Sequence, residues 1–303
     1  MESHAEKIIP HVWCQGTAEE AVAFYRNALP DCTLAGSSRY PSEGLPDFQQ
    51  KFAGELLTAD LRIGDYHVVL INAGEEYHPN PALSFFLNFD PSHDPDARAS
   101  LQATWDRLGE GGTALMPLGE YPFSPFYGWV RDRFGVSWQL ILSNPDGAPR
   151  PFVVPALMFC GPAQNRAREA LGVYAATFDD AAPGTVVPYP EPTGPAPAGA
   201  VMFSDFSIAG EWFAAMDSGV EQPFTFDPGV SLAVQCRDQE EIDRLWSALS
   251  HHPEAEACGW CMDQFGVSWQ IIPQGMGELM QHPGAHQRLL EMKKLSIAGL
   301  RGD

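Results

Sequence analysis

Apolar positions recur at helical spacing in four places. Ala21, Phe24, Tyr25 and Ala28 fall at i, i+3, i+4 and i+7, one face of a helix. Thr17 stands just before it with Glu20 three residues on, the spacing of a capping box. Ala167, Ala170, Leu171 and Tyr174 repeat that face. A second pair of helices is marked by Leu101, Thr104, Trp105 and Leu108, and by Ile242, Leu245, Trp246 and Leu249, the latter capped by Asp238 and Glu241. Between the helices the period is two. Leu61 and Ile63 alternate with Asp60 and Arg62, and Val136, Trp138 and Leu140 with Ser137 and Gln139. Such strands bury one face under helices and turn a more polar face the other way. Two stretches keep neither rhythm and are expected as long loops: 40–50 and 181–199, the second too rich in proline for a helix or a central strand.

The elements come in two matching sets. Residues 128–141, GWVRDRFGVSWQLI, and 259–272, GWCMDQFGVSWQII, agree at ten of fourteen positions. Ala59-Asp60-Leu61 onward aligns with Ser204-Asp205-Phe206, Leu83-Ser84-Phe85 with Val230-Ser231-Leu232, and Ile9-Pro10-His11 with Val154-Pro155-Ala156. The chain is therefore a tandem duplication, each copy reading strand, helix, strands, then the same again. SNPDGAPRP at 143–151 has the chemistry of a turn-rich join. Boundaries follow at 1–146 and 151–280, with a helical tail over 281–303 carrying Leu289, Met292 and Leu295 on one side.

Composition narrows the function classes. Lys+Arg 18 against Asp+Glu 39 leaves a formal net charge of −21 over 303 residues, which repels nucleic acid and anionic lipid. With 45% hydrophobic residues and 11% aromatics the chain can build packed cores. No apolar run reaches membrane-span length, and MESHAEKIIP lacks the pattern of a signal peptide, so a cytoplasmic protein with six free cysteines is expected.

The opening PHVWCQGTAEEAVAFY, the closing YGWVRDRFGVSWQLIL and their second-copy counterparts resemble the vicinal oxygen chelate superfamily, in its PhnB-like, glyoxalase-like branch. RDQEEIDRLWSALS followed by CGWCMDQFGVSWQIIPQGMGELM is similar to the branch labelled 3-demethylubiquinone-9 3-methyltransferase. The resemblance implies an α+β fold of tandem PhnB-like domains. Four strand–helix–three-strand modules would have curved mixed sheets forming clefts, helices outside, and two modules per cleft within each copy. It also implies a pseudo-dimer inside one chain, mimicking the homodimer of single-copy relatives; whether the chain itself forms a homo-oligomer is left open. Methyl transfer normally uses a glycine-rich turn after a strand; Gly109, Gly111 and Gly112 instead follow a helix, so the label is taken as a name only.

Metal-dependent members of the superfamily hold a divalent ion on the concave faces of the strands. Carried over by position, the resemblance assigns His11, Asp60, Ser84 and Gln139 in copy one, and Ala156, Asp205, Ser231 and Gln270 in copy two. His11, Asp60 and Gln139 are the candidate metal ligands; Ser84 is a poor donor, and copy two has no imidazole. A His11–Asp60 pair could instead act as a general base without metal. The strand phase collects His11, Trp13, Thr58, Asp60, Arg62, Ser84, Phe86 and Gln139 as the lining of a small-molecule cleft. Three functions follow: a lyase, isomerase or dioxygenase-type enzyme, a non-catalytic protein that binds or sequesters a small ligand, or a structural or regulatory partner using the acidic surface. Cys258-Gly-Trp-Cys261 has redox spacing but runs into a strand, and Tyr127-Gly-Trp-Val130 fills its place in copy one without cysteine. Trp105, Trp138, Trp246 and Trp269 are expected to pack in cores.

Overall fold

The computed structural model describes residues 6–45, 47–147 and 149–303. The first five residues of the expected first domain, Pro46 of the 40–50 loop and Ala148 of the join lie outside the described residues. Copy one runs β1 (Ile8–Gln15), α1 (Ala18–Ala28), β2 (Cys32–Arg39), β3 (Leu56–Ile63), β4 (Tyr66–Ala73), β5 (Leu83–Phe89), α2 (Ala97–Leu108), β6 (Thr113–Tyr121), β7 (Ser124–Arg131) and β8 (Ser137–Leu142). Copy two runs β9 (Val153–Phe159), α3 (Ala167–Thr177), β10 (Ala182–Pro188), β11 (Val201–Ile208), β12 (Glu211–Asp217), β13 (Val230–Cys236), α4 (Gln239–Leu249), β14 (Trp260–Met262) and β15 (Ser268–Pro273). Three short helices follow, α5 (Met276–Leu279), α6 (Ala285–Glu291) and α7 (Ile297–Arg301).

The strands form two mixed sheets, ordered β14-β15-β13-β1-β4-β3-β2 and β10-β11-β12-β9-β5-β8-β7-β6. The described residues form two compact units, 6–10 with 159–303, and 11–158. One expectation fails here. The two modules of copy one do not share a sheet: β1 to β4 stand in the first, β5 to β8 in the second. A strand has two edges, and those of β5 are taken by β8 and β9, with Phe86 opposite Gln139 and Leu83 opposite Leu157. Neither edge is left for the first module.

The stretch 181–199 is also not one loop. Ala182–Pro188 pairs with β11 as an outer strand, with register shifts between Pro183 and Val186 and again at Pro188. At a sheet edge a proline forfeits no ladder hydrogen bond, and the irregularities absorb it. The remainder is pinned: Tyr189 Oη donates to the Asp217 carbonyl at 3.1 Å, and Asn165 Nδ2 to the Pro195 carbonyl at 3.0 Å. The 40–50 stretch runs into a short 3₁₀ turn over Asp47–Phe52, where Phe52 stacks on Tyr40 at 5.2 Å.

The helical faces read from the sequence are buried, with Ala21, Phe24, Tyr25 and Ala28 on α1 and Leu101 and Leu108 on α2. Trp138 and Trp269 lie in the cores, whereas Trp105 and Trp246 are only half-buried. Capping follows the sequence at one helix and departs from it at another. Asp238 accepts from the Glu241 amide at 2.9 Å, and Glu241 accepts in turn from the Arg237 amide at 2.7 Å. Thr17 makes no side-chain cap to α1. The amide of Ala18 is instead met by Asn72 Oδ1 on β4 at 3.3 Å, and in copy two the amide of Ala167 by Asp217 Oδ1 at 3.0 Å. Both helices are thus capped from the neighbouring strand.

A second repeated device ties helix to strand within each unit. Asp132 is buried and accepts four hydrogen bonds. Tyr25 Oη of α1 and Trp138 Nε1 of β8 reach one oxygen at 2.9 and 2.8 Å; the amides of Phe134 and Val136 reach the other at 2.8 and 3.1 Å. Asp263 does the same with Tyr174, Trp269, Phe265 and Val267 at 2.8 to 3.0 Å. Gly135 and Gly266, at φ 89° and 91°, close the turns that aim these amides inward.

In the first unit, Lys7 Nζ lies 2.8 Å from the buried carboxylate of Glu241. Burial pushes that carboxyl up, but the bonds from Lys7 and the Arg237 amide outweigh it, so its pKa falls below the usual value. A lowered pKa gives stability that is present above the unfolded value and lost as pH falls. Lys7→Met is therefore expected to cost about 2 kcal/mol at neutral pH and less near pH 4, as read in thermal melts.

Candidate functional site

Strand pairing sorts the candidate residues into rows. On the face of β1, β4 and β3 away from α1, Trp13 stands beside Ile71 and then Thr58; His11 beside Val69 and then Asp60; and His67 beside Arg62. Cross-strand neighbours point the same way, so these side chains share one face. The alternate positions Val12, Cys14, Ala59, Leu61, Ile63, Val68 and Leu70 are buried. The period-two phase of the sequence holds for His11, Trp13, Thr58, Asp60 and Arg62, all half-buried on this face.

The remaining three candidates stand elsewhere. Ser84, Phe86 and Gln139 are buried in the other sheet. Gln139 is fully engaged there, Nε2 donating to Ser84 Oγ at 2.8 Å and Oε1 accepting from Tyr127 Oη at 2.6 Å. Ser231 and Gln270 repeat the pair at 2.9 Å. The lining drawn from the sequence is thus divided between two sheets, for the edge reason given above.

β4 lies between β1 and β3, so Val69 stands between His11 and Asp60 in the strand register. The imidazole beside Asp60 is His67, with Nε2 3.6 Å from Oδ1. His67 stands outside the lining drawn from the sequence, which takes no residue from β4. Alternation alone would have found it, since His67, Val69 and Ile71 share parity. His67, with the charges of His11 and Arg62, holds the Asp60 carboxyl below its usual pKa against the opposing effect of burial. Gly36 on β2 stands opposite Asp60 in the register, and a methyl group there would meet Oδ2 at 2.9 Å, so glycine leaves the carboxylate its room.

The far end of the face is rigid. Trp13 Nε1 donates to the Gly74 carbonyl at 2.7 Å, and Tyr77 packs edge-on against the ring at 5.1 Å. Gln15 holds the same loop through the Tyr77 carbonyl at 2.6 Å and the His78 ring. Ser38 and Thr58 share a hydrogen bond of 2.7 Å. The surface is an indole wall and aliphatic floor leading to an ionised carboxylate among basic groups.

The donor set does not suit a divalent ion. His11 has Val69 as its neighbour on β4, Gln139 has both ends committed on another sheet, and no group of three His, Cys, Asp or Glu side chains converges among the described residues. A metal site with open positions needs at least three good donors on one centre. Copy two is poorer still. Asp205 takes the place of Asp60 and accepts from the Thr185 amide, while Ala156, Ser207 and Trp212 stand where copy one has His11, Arg62 and His67. Cys258 and Cys261 are no thiolate pair: burial raises both, Cys261 to about 12. No helix among the described residues is long and apolar enough to cross a membrane.

Two tandem copies, each a pair of strand–helix–strand modules with three closing strands (two in the last module), mixed sheets and outer helices, have the vicinal oxygen chelate fold. The sequence profile of the family described as 3-demethylubiquinone-9 3-methyltransferase matches residues 6–141 and 151–272, and the chain belongs to that family. A PhnB protein from Bacillus cereus is 28% identical over 46% of this chain and 100% of its own, with a TM-score of 0.39. Glyoxalase I from Zea mays is 13% identical over 80% of this chain and 77% of its own, at a TM-score of 0.50. A variant of that enzyme covers 91% of this chain and 95% of its own at 12% identity and 0.51. These glyoxalase likenesses concern the fold. No curated protein matches the chain.

Proposed function

We propose that the protein binds a small planar ligand on the β1–β4–β3 face of copy one, without a resident divalent metal. The observation that carries this is the half-open Asp60 carboxylate, flanked by His67 and aligned with the Trp13 wall, in a copy whose twin has Ala156, Ser207 and Trp212 at the positions of His11, Arg62 and His67. An ionised carboxylate with lone pairs to spare accepts from amide, amine or hydroxyl donors, and an indole held by a hydrogen bond and an aromatic edge offers a ready stacking wall. The ligand class is then a flat, largely apolar molecule with a hydrogen-bond donor.

The probe is benzamide, against N,N-dimethylbenzamide, which keeps ring and carbonyl but has no N–H. Benzamide is expected to shift the NMR signals of Trp13 and His67, and the dimethyl compound to do so far less. Equal response to both, or response only at Asp205, overturns the reading. A catalytic reading rests on the Asp60–His67 pair, in which the carboxylate can orient the ring and balance a proton it takes up. Turnover of a bound compound that His67→Gln abolishes while binding persists would favour it. Stoichiometric divalent metal lost on His11→Ala would restore the metal-dependent alternative.

A further inference from the structure

The two copies differ most between their second helix and last strand. From Trp105 to Gly128 copy one runs ten residues longer than copy two does from Trp246 to Gly259. In copy one the extra residues make β6, which pairs with β7. Its end brings Tyr121 and Phe123 onto Tyr127, at 5.4 and 5.0 Å, and Tyr127 stands opposite Ile141. In copy two β14 has three residues, and only an isolated bridge between Ala257 and Trp260 precedes it. The residue matching Tyr127 is Cys258, and the one matching Ile141 is Ile272.

What lies there is the segment after residue 284. The amides of Cys258 and Gly259 donate to the carbonyls of Met292 and Lys293, both at 2.7 Å. Leu279, Leu295 and Leu300 form a core cluster against which Ile272 and Met292 pack, and Leu295 and Leu300 are fully buried. Gly259 admits the approach: a methyl group there would lie 3.0 Å from Leu295. Polar bonds fasten the segment to α4 and the loop after it. Lys294 meets Asp243 at 2.6 Å and Lys293 meets Glu256 at 3.1 Å; Gln239 donates to the Leu295 carbonyl at 3.0 Å and accepts from the Ile297 amide at 2.9 Å.

We propose that the edge of copy two at Cys258–Gly259, with the apolar patch around Ile272, is a peptide-binding groove whose occupant is residues 285–301 of the same chain. The segment supplies to copy two what β6 and its aromatic cluster supply to copy one. Two backbone donors and an apolar patch left open would be an adhesive edge, and the bend between α6 and α7 covers it with the carbonyls of Met292 and Lys293 and the side chain of Leu295. The basic residues of the segment suit the acidic side chains of α4 and its loop.

The half-buried thiol of Cys258 reports on the groove. In the full chain, Leu295→Asp is expected to speed Cys258 alkylation by iodoacetamide about tenfold or more, with faster amide exchange at Cys258 and Gly259, while buried Cys14 and Cys160 stay inert. Unchanged labelling and exchange at Cys258 would overturn the proposal. If that variant fails to fold, Leu295→Ala in the full chain, which leaves a void instead of a buried charge, is expected to speed Cys258 labelling severalfold and lower the melting midpoint. Labelling at Cys258 unchanged in that variant contradicts the proposal.

Discussion

Asp132→Ala is expected to lower the stability of the protein by more than about 4 kcal/mol, the largest effect of any single substitution considered. The change removes no apolar packing of note. It strands four buried donors at once: the Tyr25 hydroxyl, the Trp138 indole and the amides of Phe134 and Val136. Each orphaned buried donor costs about 1–3 kcal/mol. Asp132→Asn is milder, at about 2 kcal/mol, because one oxygen still serves the two amides while the new NH₂ faces an indole N–H that cannot accept. Asp263→Ala should behave alike through Tyr174 and Trp269. Thermal or denaturant unfolding checks the series. The network also has a pH signature. Burial raises the Asp132 carboxyl to about 6 in spite of its four donors. A raised folded pKa means that the group's contribution is full below the unfolded value of 3.8 and lost as pH rises through about 6. Asp132→Asn should flatten that part of the stability profile, and a slope that survives the change would refute the assignment.

The second large effect concerns the ligand. Asp60→Asn is expected to weaken benzamide binding about 10- to 100-fold, the worth of a charge-assisted hydrogen bond, with little change in melting. The carboxylate is more than a third exposed and the His67 ring nitrogen lies 3.6 Å from it, so the fold depends on it little. Asp205→Asn, the same change at the matching position of copy two, should leave binding untouched. Asp205 is spent on the Thr185 amide and has no basic neighbours in the matching positions. Titration followed by NMR separates the outcomes, and equal losses at the two positions would argue against a site in copy one.

Periodicity made the duplication, the helical faces and the strand phase legible, because side-chain alternation and helical spacing are local properties. Val12 and Cys14 go inward while His11 and Trp13 turn outward, as the alternation requires. Strand order is not local. Nothing in Leu83–Phe89 says that its edges go to β8 and β9, and the division of His11 from Gln139 follows from that choice. His11 and Asp60 look adjacent by phase, but β4 comes between them. Asp132 escaped notice for a different reason: before Phe134-Gly135 an aspartate reads as a turn former, and its four long-range and local donors appear only in three dimensions. The outer strand Ala182–Pro188 was hidden by prolines that an edge tolerates and an inner strand does not.

The most direct test of the account is a fragment map: the full chain, labelled at histidine and tryptophan side chains, screened by NMR with small aromatic amides, amines and alcohols in metal-free buffer. Hits should gather on Trp13, His11 and His67 and disappear in Asp60→Asn. A set of hits that requires added divalent metal, or that collects around Asp205 while Trp13 and His67 stay silent, would contradict it.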